Sequence, residues 1–187
     1  APGIAHAKLW SIVPQSGAVL LRLGVSEPVL SQILSGLLGC LSFQALATVT
    51  HALGRSALVA LGATVVIFVS RATDYGVVYP IALLGSSHTY GIAGLSFVVL
   101  SAGVLGLGWF RTGAFLLGLS PAVHPALGLW ALAIAAAAMI PLRWELTRSR
   151  IVASFAAGLT ITVVSFCIQM GMAAPVPPID PDTAHRY

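Results

Sequence analysis

Charge is scarce in this sequence: nine Lys or Arg and five Asp or Glu make up only 7% of 187 residues, against roughly 25% in an average soluble domain. A water-facing surface cannot be covered by so few charges. Cysteine is scarce too, and both Cys40 and Cys167 fall inside apolar stretches, which excludes a disulfide framework and predicts packed thiols. No polybasic run interleaved with aromatics is present, so nucleic acid is not an expected partner. There is no Walker loop, Cys-rich metal set, Gly-x-Ser-x-Gly elbow or His-Glu-x-x-His motif. The apolar stretches hold no lysine for a Schiff base and no repeated acids of the kind that ion carriers place on helices. Ala1 to Trp10 lacks the basic-then-apolar order of a cleavable signal.

What is abundant is apolar sequence. Hydrophobic residues make up 58% of the chain, mean hydropathy is +0.97, and the excess is concentrated between Val29 and Ala173. The segments are continuous, rich in Leu and Ala, and free of strict alternation. In a bilayer the backbone must satisfy itself, so the expected fold class is all-α: a polytopic integral membrane bundle of about five full spans plus a proline-broken half-helix. Three regions follow, with no convincing internal repeat. Residues 1–28 form an interfacial segment anchored by Trp10, residues 29–173 the helical bundle, and residues 174–187 a polar, Pro-rich non-cytoplasmic tail.

Ser26-Glu27-Pro28 reads as a helix start, with a hydroxyl, an acid and a first-turn proline in order. Helices are expected at Val29–Ala52, Ala57–Ser70, Gly91–Phe110 and Ile151–Ala173, with a tight turn at Leu53–Ser56. The stretch Thr112–Leu142 is about 45 Å long as one helix, more than a hydrocarbon core of about 30 Å. Ser120-Pro121-Ala122-Val123-His124-Pro125 sits in its middle, and two prolines there remove backbone donors and disfavour helix before them. The reading is a half-helix Thr112–Ser120, a break at 121–125, and a helix Ala126–Leu142.

If the two halves form a V, one side of the membrane holds Arg55, Arg111, Arg143, Arg148 and Arg150 against Glu145 alone. The other holds Lys8, Arg22, Arg71 and Arg186 against Glu27, Asp74, Asp180 and Asp182. Excess basic residues mark the cytoplasmic side. A single crossing by 112–142 would give a weaker asymmetry. The V also sends Asp74, Tyr75, Tyr79, His88, Tyr90, Ser120 and His124 to one non-cytoplasmic cavity. Asp74 is the candidate catalytic acid, with an ion pair to Arg71 as its alternative, and His88, His124, Tyr79, Tyr90 and Ser120 are candidate cavity-lining residues. His124 has an equally plain structural reading, a neutral imidazole bonded to a carbonyl freed at the proline break. His51 reads as an interface residue beside Arg55. Gln32, Gln44, Thr48, Thr50, Thr160, Thr162 and Gln169 fit interhelical hydrogen bonds, and Ser35/Gly39, Ala102/Gly106 and Ala153/Ala157 are small pairs that permit close packing.

Gly85-Ser86-Ser87-His88-Thr89-Tyr90-Gly91 opening a membrane helix, the Arg111 turn, and Leu116-Leu117-Gly118-Leu119-Ser120-Pro121-Ala122-Val123-His124-Pro125 together resemble the multi-spanning core of bacterial GT-C-type glycosyltransferase-like proteins. The resemblance covers residues 28–187. It implies a bacterial inner-membrane protein, a polyprenyl-phosphate sugar as partner and a donor cavity lined by Asp74, His88 and His124. The family's catalytic carboxylate, carried in the first external loop, lies upstream of anything in this sequence. The competing reading is a structural or cofactor-binding subunit of a membrane energy-conversion complex. There His124, followed by Trp130, would ligate a chlorophyll magnesium, or His88 and His124 would share a haem.

Overall fold

The computed structural model describes residues 11–71, 90–139 and 149–172. Among them there are seven helices and no strand: α1 (Ile12–Arg22), α2 (Glu27–Gly54), α3 (Ala57–Arg71), α4 (Tyr90–Gly106), α5 (Phe110–Val123), α6 (Pro125–Met139) and α7 (Ser149–Met172). The all-α expectation holds. Two helices, α2 and α7, are long and apolar enough to cross a membrane, and only 11% and 17% of their most apolar windows are buried. Neither is buried to the degree of a soluble protein's core helix. α3 to α6 have 14 to 17 residues each, about 21 to 26 Å at 1.5 Å per residue. Each falls short of the roughly 20 residues that a 30 Å core takes, so helix length does not support a count of five full spans.

Two boundaries differ from the sequence expectation for identifiable reasons. α4 stops at Gly106 rather than Phe110 because Gly108, at φ 81°, closes a Schellman turn. The Gly108 and Trp109 amides donate to Leu105 and Val104 carbonyls at 2.9 and 3.1 Å. The proline break is also much narrower than residues 121–125. Pro121 lies inside α5, where its missing N–H deprives the Leu117 carbonyl of a donor. The Ser120 hydroxyl supplies one instead, at 2.7 Å. The helix runs on to Val123, and the whole interruption is one extended residue, His124, at φ −147° and ψ 105°, placed there by the proline that follows.

The helices pack in a definite order. α2 and α4 run parallel: Ser42 bonds Ser96 through their hydroxyls at 2.8 Å, and further along Gly103 and Gly106 of α4 lie against Thr48–Val49 and Ala52 of α2. α3 returns along α2 after the αL residue Arg55. α5 runs antiparallel to α4, with Gly113 against Leu105 at one end and His124 against Gly94 at the other. α6 doubles back on α5, since a Cβ on Gly128 would collide with the Pro121 backbone. The halves of the interrupted helix thus form a V. α7 packs along α5, the most extensive helix pair, and starts at the same end. α1 caps the far end, where Gln15 and Ser165 exchange two hydrogen bonds of 3.0 and 2.9 Å.

The α5–α7 crossing is made by glycine on both sides. A Cβ on Gly118 would collide with the Phe155 carbonyl oxygen, and one on Gly158 with that of Phe115. Thr162, buried in the same groove, donates to the Gly118 carbonyl at 2.8 Å. Ala114, Gly118 and Ala122 form one small-residue stripe, and Ser154, Gly158 and Thr162 the facing one. Replacing Gly118 by Leu should lower stability in detergent by about 1–3 kcal/mol. Thr162→Val should cost about 1 kcal/mol or less. Thermal unfolding followed by circular dichroism, showing Gly118→Leu well below Thr162→Val, checks this ordering.

Candidate functional site

Of the residues expected to converge on one cavity, Asp74, Tyr75, Tyr79 and His88 lie outside the described residues, as does the Tyr90 side chain; Tyr90 is the first residue of α4. His124 and Ser120 are described. Ser120 is buried, and its hydroxyl donates to the Leu117 carbonyl that Pro121 leaves without a backbone donor. His124 is half-buried, and its ring packs on the α4 backbone at Gly94, where a Cβ would clash with the imidazole. That contact sets the break one helical turn from Tyr90.

Locally, His124 is the N-cap of α6. Its carbonyl accepts from the Gly128 amide at 2.8 Å, and its Nδ1 accepts from the Leu127 amide at 3.3 Å. Pro125 occupies the first helical position, where no donor is needed. An imidazole nitrogen thus does the work usually done by a Ser, Asp or Asn oxygen. The expectation of a ring bonded to a freed carbonyl is corrected for Nδ1, which takes up a freed amide. That bond fixes Nδ1 as an acceptor and places the proton of the neutral ring on Nε2.

Two cavities among the described residues lie at the opposite end of the bundle. The larger, of about 640 Å³, is lined by Trp109, Phe110, Arg111, Thr112, Ser149 and Arg150. A second, of about 370 Å³, adjoins it at Arg111, Thr112, Phe115 and Ser154. Two guanidiniums and the positive ends of two parallel helices share this cleft, so its potential is cationic. Arg55 follows α2 at the same end. His51 lies in the last turn of α2 beside it, as expected, and its buried Nδ1 has no hydrogen-bond partner among the described residues. No group of three His, Cys, Asp or Glu among the described residues could hold a metal ion.

The polar residues expected to join helices divide. Thr162 does so, whereas Thr48, Thr50 and Thr160 each bond the carbonyl four residues back on their own helix. Gln32 and Gln44 are exposed. Among the small pairs, Gly106 lies in a helix contact, while a Cβ on Gly39 would meet nothing. Cys40 and Cys167 correct the expectation of packed thiols: both are exposed, on faces that α2 and α7 turn away from their neighbours. The crossing at Gly118 and Gly158 was missed, although the four-residue stripes on both helices were there to read.

No family model matches this sequence, and no curated protein or solved structure matches it. The cap geometry makes its own prediction. His124→Asn should keep the cap and lose only the ring's seat on Gly94, so its thermal midpoint should fall less than that of His124→Ala, which also loses a cap of about 1 kcal/mol. A midpoint lowered equally by both would show that the Nδ1 bond contributes nothing measurable.

Proposed function

We propose that this chain is the membrane-embedded helical core of a multi-spanning protein, with α2 to α7 traversing the bilayer and the Arg55–Arg111–Arg150 end facing the cytoplasm. The observation that carries the reading is the inversion of its packing. Large apolar side chains point outward: Leu58 is 81% exposed, Trp130 69% and Ile134 67%, on helices α3 and α6. The interior holds the small or polar Ala45, Ser96, Thr64, Ser101, Ser120 and Thr162 beside a few larger side chains, Ile92, Leu100, Val104 and Val123. Water would reverse this arrangement; lipid favours it, because tails compete for Leu and Val but not for the close contacts of small residues. The described charges sort the same way. Arg55, Arg111 and Arg150 gather at one end, and Arg22, Glu27 and Arg71 belong to elements that reach the other. The shorter helices would complete their crossings through the adjoining connections or in a locally thinned bilayer.

In this reading the described part acts as a scaffold and not as a catalyst. One elaboration, carried by the sequence resemblance, is a cavity for a polyprenyl-phosphate sugar on the non-cytoplasmic side. The Gly94–His124 contact brings the helix break to the end of the bundle where the connection carrying Asp74, Tyr79 and His88 joins α4. Asp74 would then be the acid nearest a lipid-linked donor. A haem or chlorophyll subunit remains the competing class, and a Soret or near-infrared band in the purified protein would select it.

Membrane topology tests the core proposal. With Cys40 and Cys167 replaced by Ser, single cysteines at Ser56 or Ser149 should react with an impermeant maleimide only from the cytoplasmic face. A cysteine at Ser26 should react only from the opposite face. Labelling of all three from both faces, or release of the protein by alkaline carbonate, would refute it.

A further inference from the structure

One face of α2 carries a polar group that lipid cannot satisfy. Ser42, Ala45 and Ala52 face α4. On the side turned away from it, Ile33, Leu37, Cys40 and Gln44 follow one another at intervals of four, three and four residues. All four are exposed. This is the a/d spacing of a helix-pairing seam. Gly36 flanks it, and a Cβ there would meet nothing.

Gln44 is the informative member. No described residue bonds its side-chain amide; the Thr48 hydroxyl donates to its backbone carbonyl and not to the amide. It stands eleven residues before Arg55, about 16 Å along the helix at 1.5 Å per residue. If the arginine end lies at the membrane surface, the amide sits near the midplane of a core about 30 Å thick. A primary amide facing hydrocarbon there leaves donors and acceptor unsatisfied.

We propose that α2 pairs with α2 of a second copy of this chain through Ile33, Leu37, Cys40 and Gln44. The proposal rests on the membrane reading above. Two copies inserted with the same orientation are related by an axis along the membrane normal, so their α2 helices meet parallel and in register. Gln44 then faces its own counterpart. An amide is self-complementary: each side chain donates an N–H to the other's carbonyl oxygen. A single polar residue in an otherwise apolar seam is a known means of fixing register and copy number. Parallel pairing also brings the two Cys40 thiols together, one turn from the amide pair.

The test uses the full chain with Cys167→Ser, reconstituted in phosphatidylcholine vesicles and oxidised with copper phenanthroline. A disulfide-linked dimer should form, and Cys40→Ser should abolish it. Gln44→Leu should weaken dimer formation about tenfold, read as the vesicle dilution at which the link disappears, and Gln44→Asn should retain it. A chain with Cys40→Ser and native Cys167, exposed on α7, reports random collision. The pairing is overturned by a Cys40 link no stronger than that control, by a link that Gln44→Leu leaves unchanged, or by a link to a different polypeptide. Protein that stays in the vesicles and gives no link sinks the pairing alone. Protein that carbonate releases sinks the membrane reading with it.

Discussion

Helices in this protein approach one another backbone to backbone, and the rest of the architecture follows from that constraint. At the α5–α7 crossing neither Gly118 nor Gly158 leaves room for a methyl group, and the nearest atoms are main-chain carbonyls and amides. Contacts this close are made by dispersion and by short polar links such as Thr162 to Gly118. They need small residues at the interface. Much of the bulk of the Leu, Val and Ile side chains then lies outside, although Ile92, Leu100, Val104 and Val123 stay buried between the helices. The exposed faces of α2, α3, α6 and α7 are the necessary counterpart of the glycine crossings.

His124 is where this architecture turns. One extended residue between two prolines lets α6 fold back, and three interactions hold it: the carbonyl bond to Gly128, the Nδ1 bond from Leu127 and the ring's seat on Gly94. Ser120 prevents the break from spreading toward α5 by replacing the donor that Pro121 lacks. A histidine in such a position invites a catalytic or ligand reading from sequence, because ionisable groups in apolar runs are costly and usually have a purpose. Here a sufficient purpose is structural. The same turn brings the α5–α6 corner to the start of α4, which keeps the donor-cavity elaboration open to experiment.

Much of the helical arrangement was legible because its signals are local. Ser26-Glu27-Pro28 gave the start of α2 to within two residues, and Arg55 and Arg111 marked turns because a charge interrupts an apolar run. The placement of helices 57–70 and 151–173 needed only hydropathy. The errors arose where the deciding partner is a single atom. Gly108 ends α4 through two main-chain bonds, and a glycine among nineteen carries no label saying which one closes a turn. Pro121 reads as a breaker unless the hydroxyl of the residue before it is turned back to Leu117, and side-chain direction is not in the sequence. The thiols of Cys40 and Cys167 were placed inside on hydropathy alone, which cannot distinguish a residue packed between helices from one on an outward face.

The central claim is that oil covers the outward faces of α3 and α6 as it does that of α7. Photolabelling in vesicles with a lipid-partitioned carbene precursor, mapped by mass spectrometry, reads this residue by residue. The account predicts labels on Leu58 and Val66 of α3, Leu129 and Ile134 of α6, and Val163 of α7, with Ala45, Ala122 and Gly118 left unlabelled. Labels confined to α2 and α7, with the amides of α3 and α6 exchanging freely with water, would contradict it.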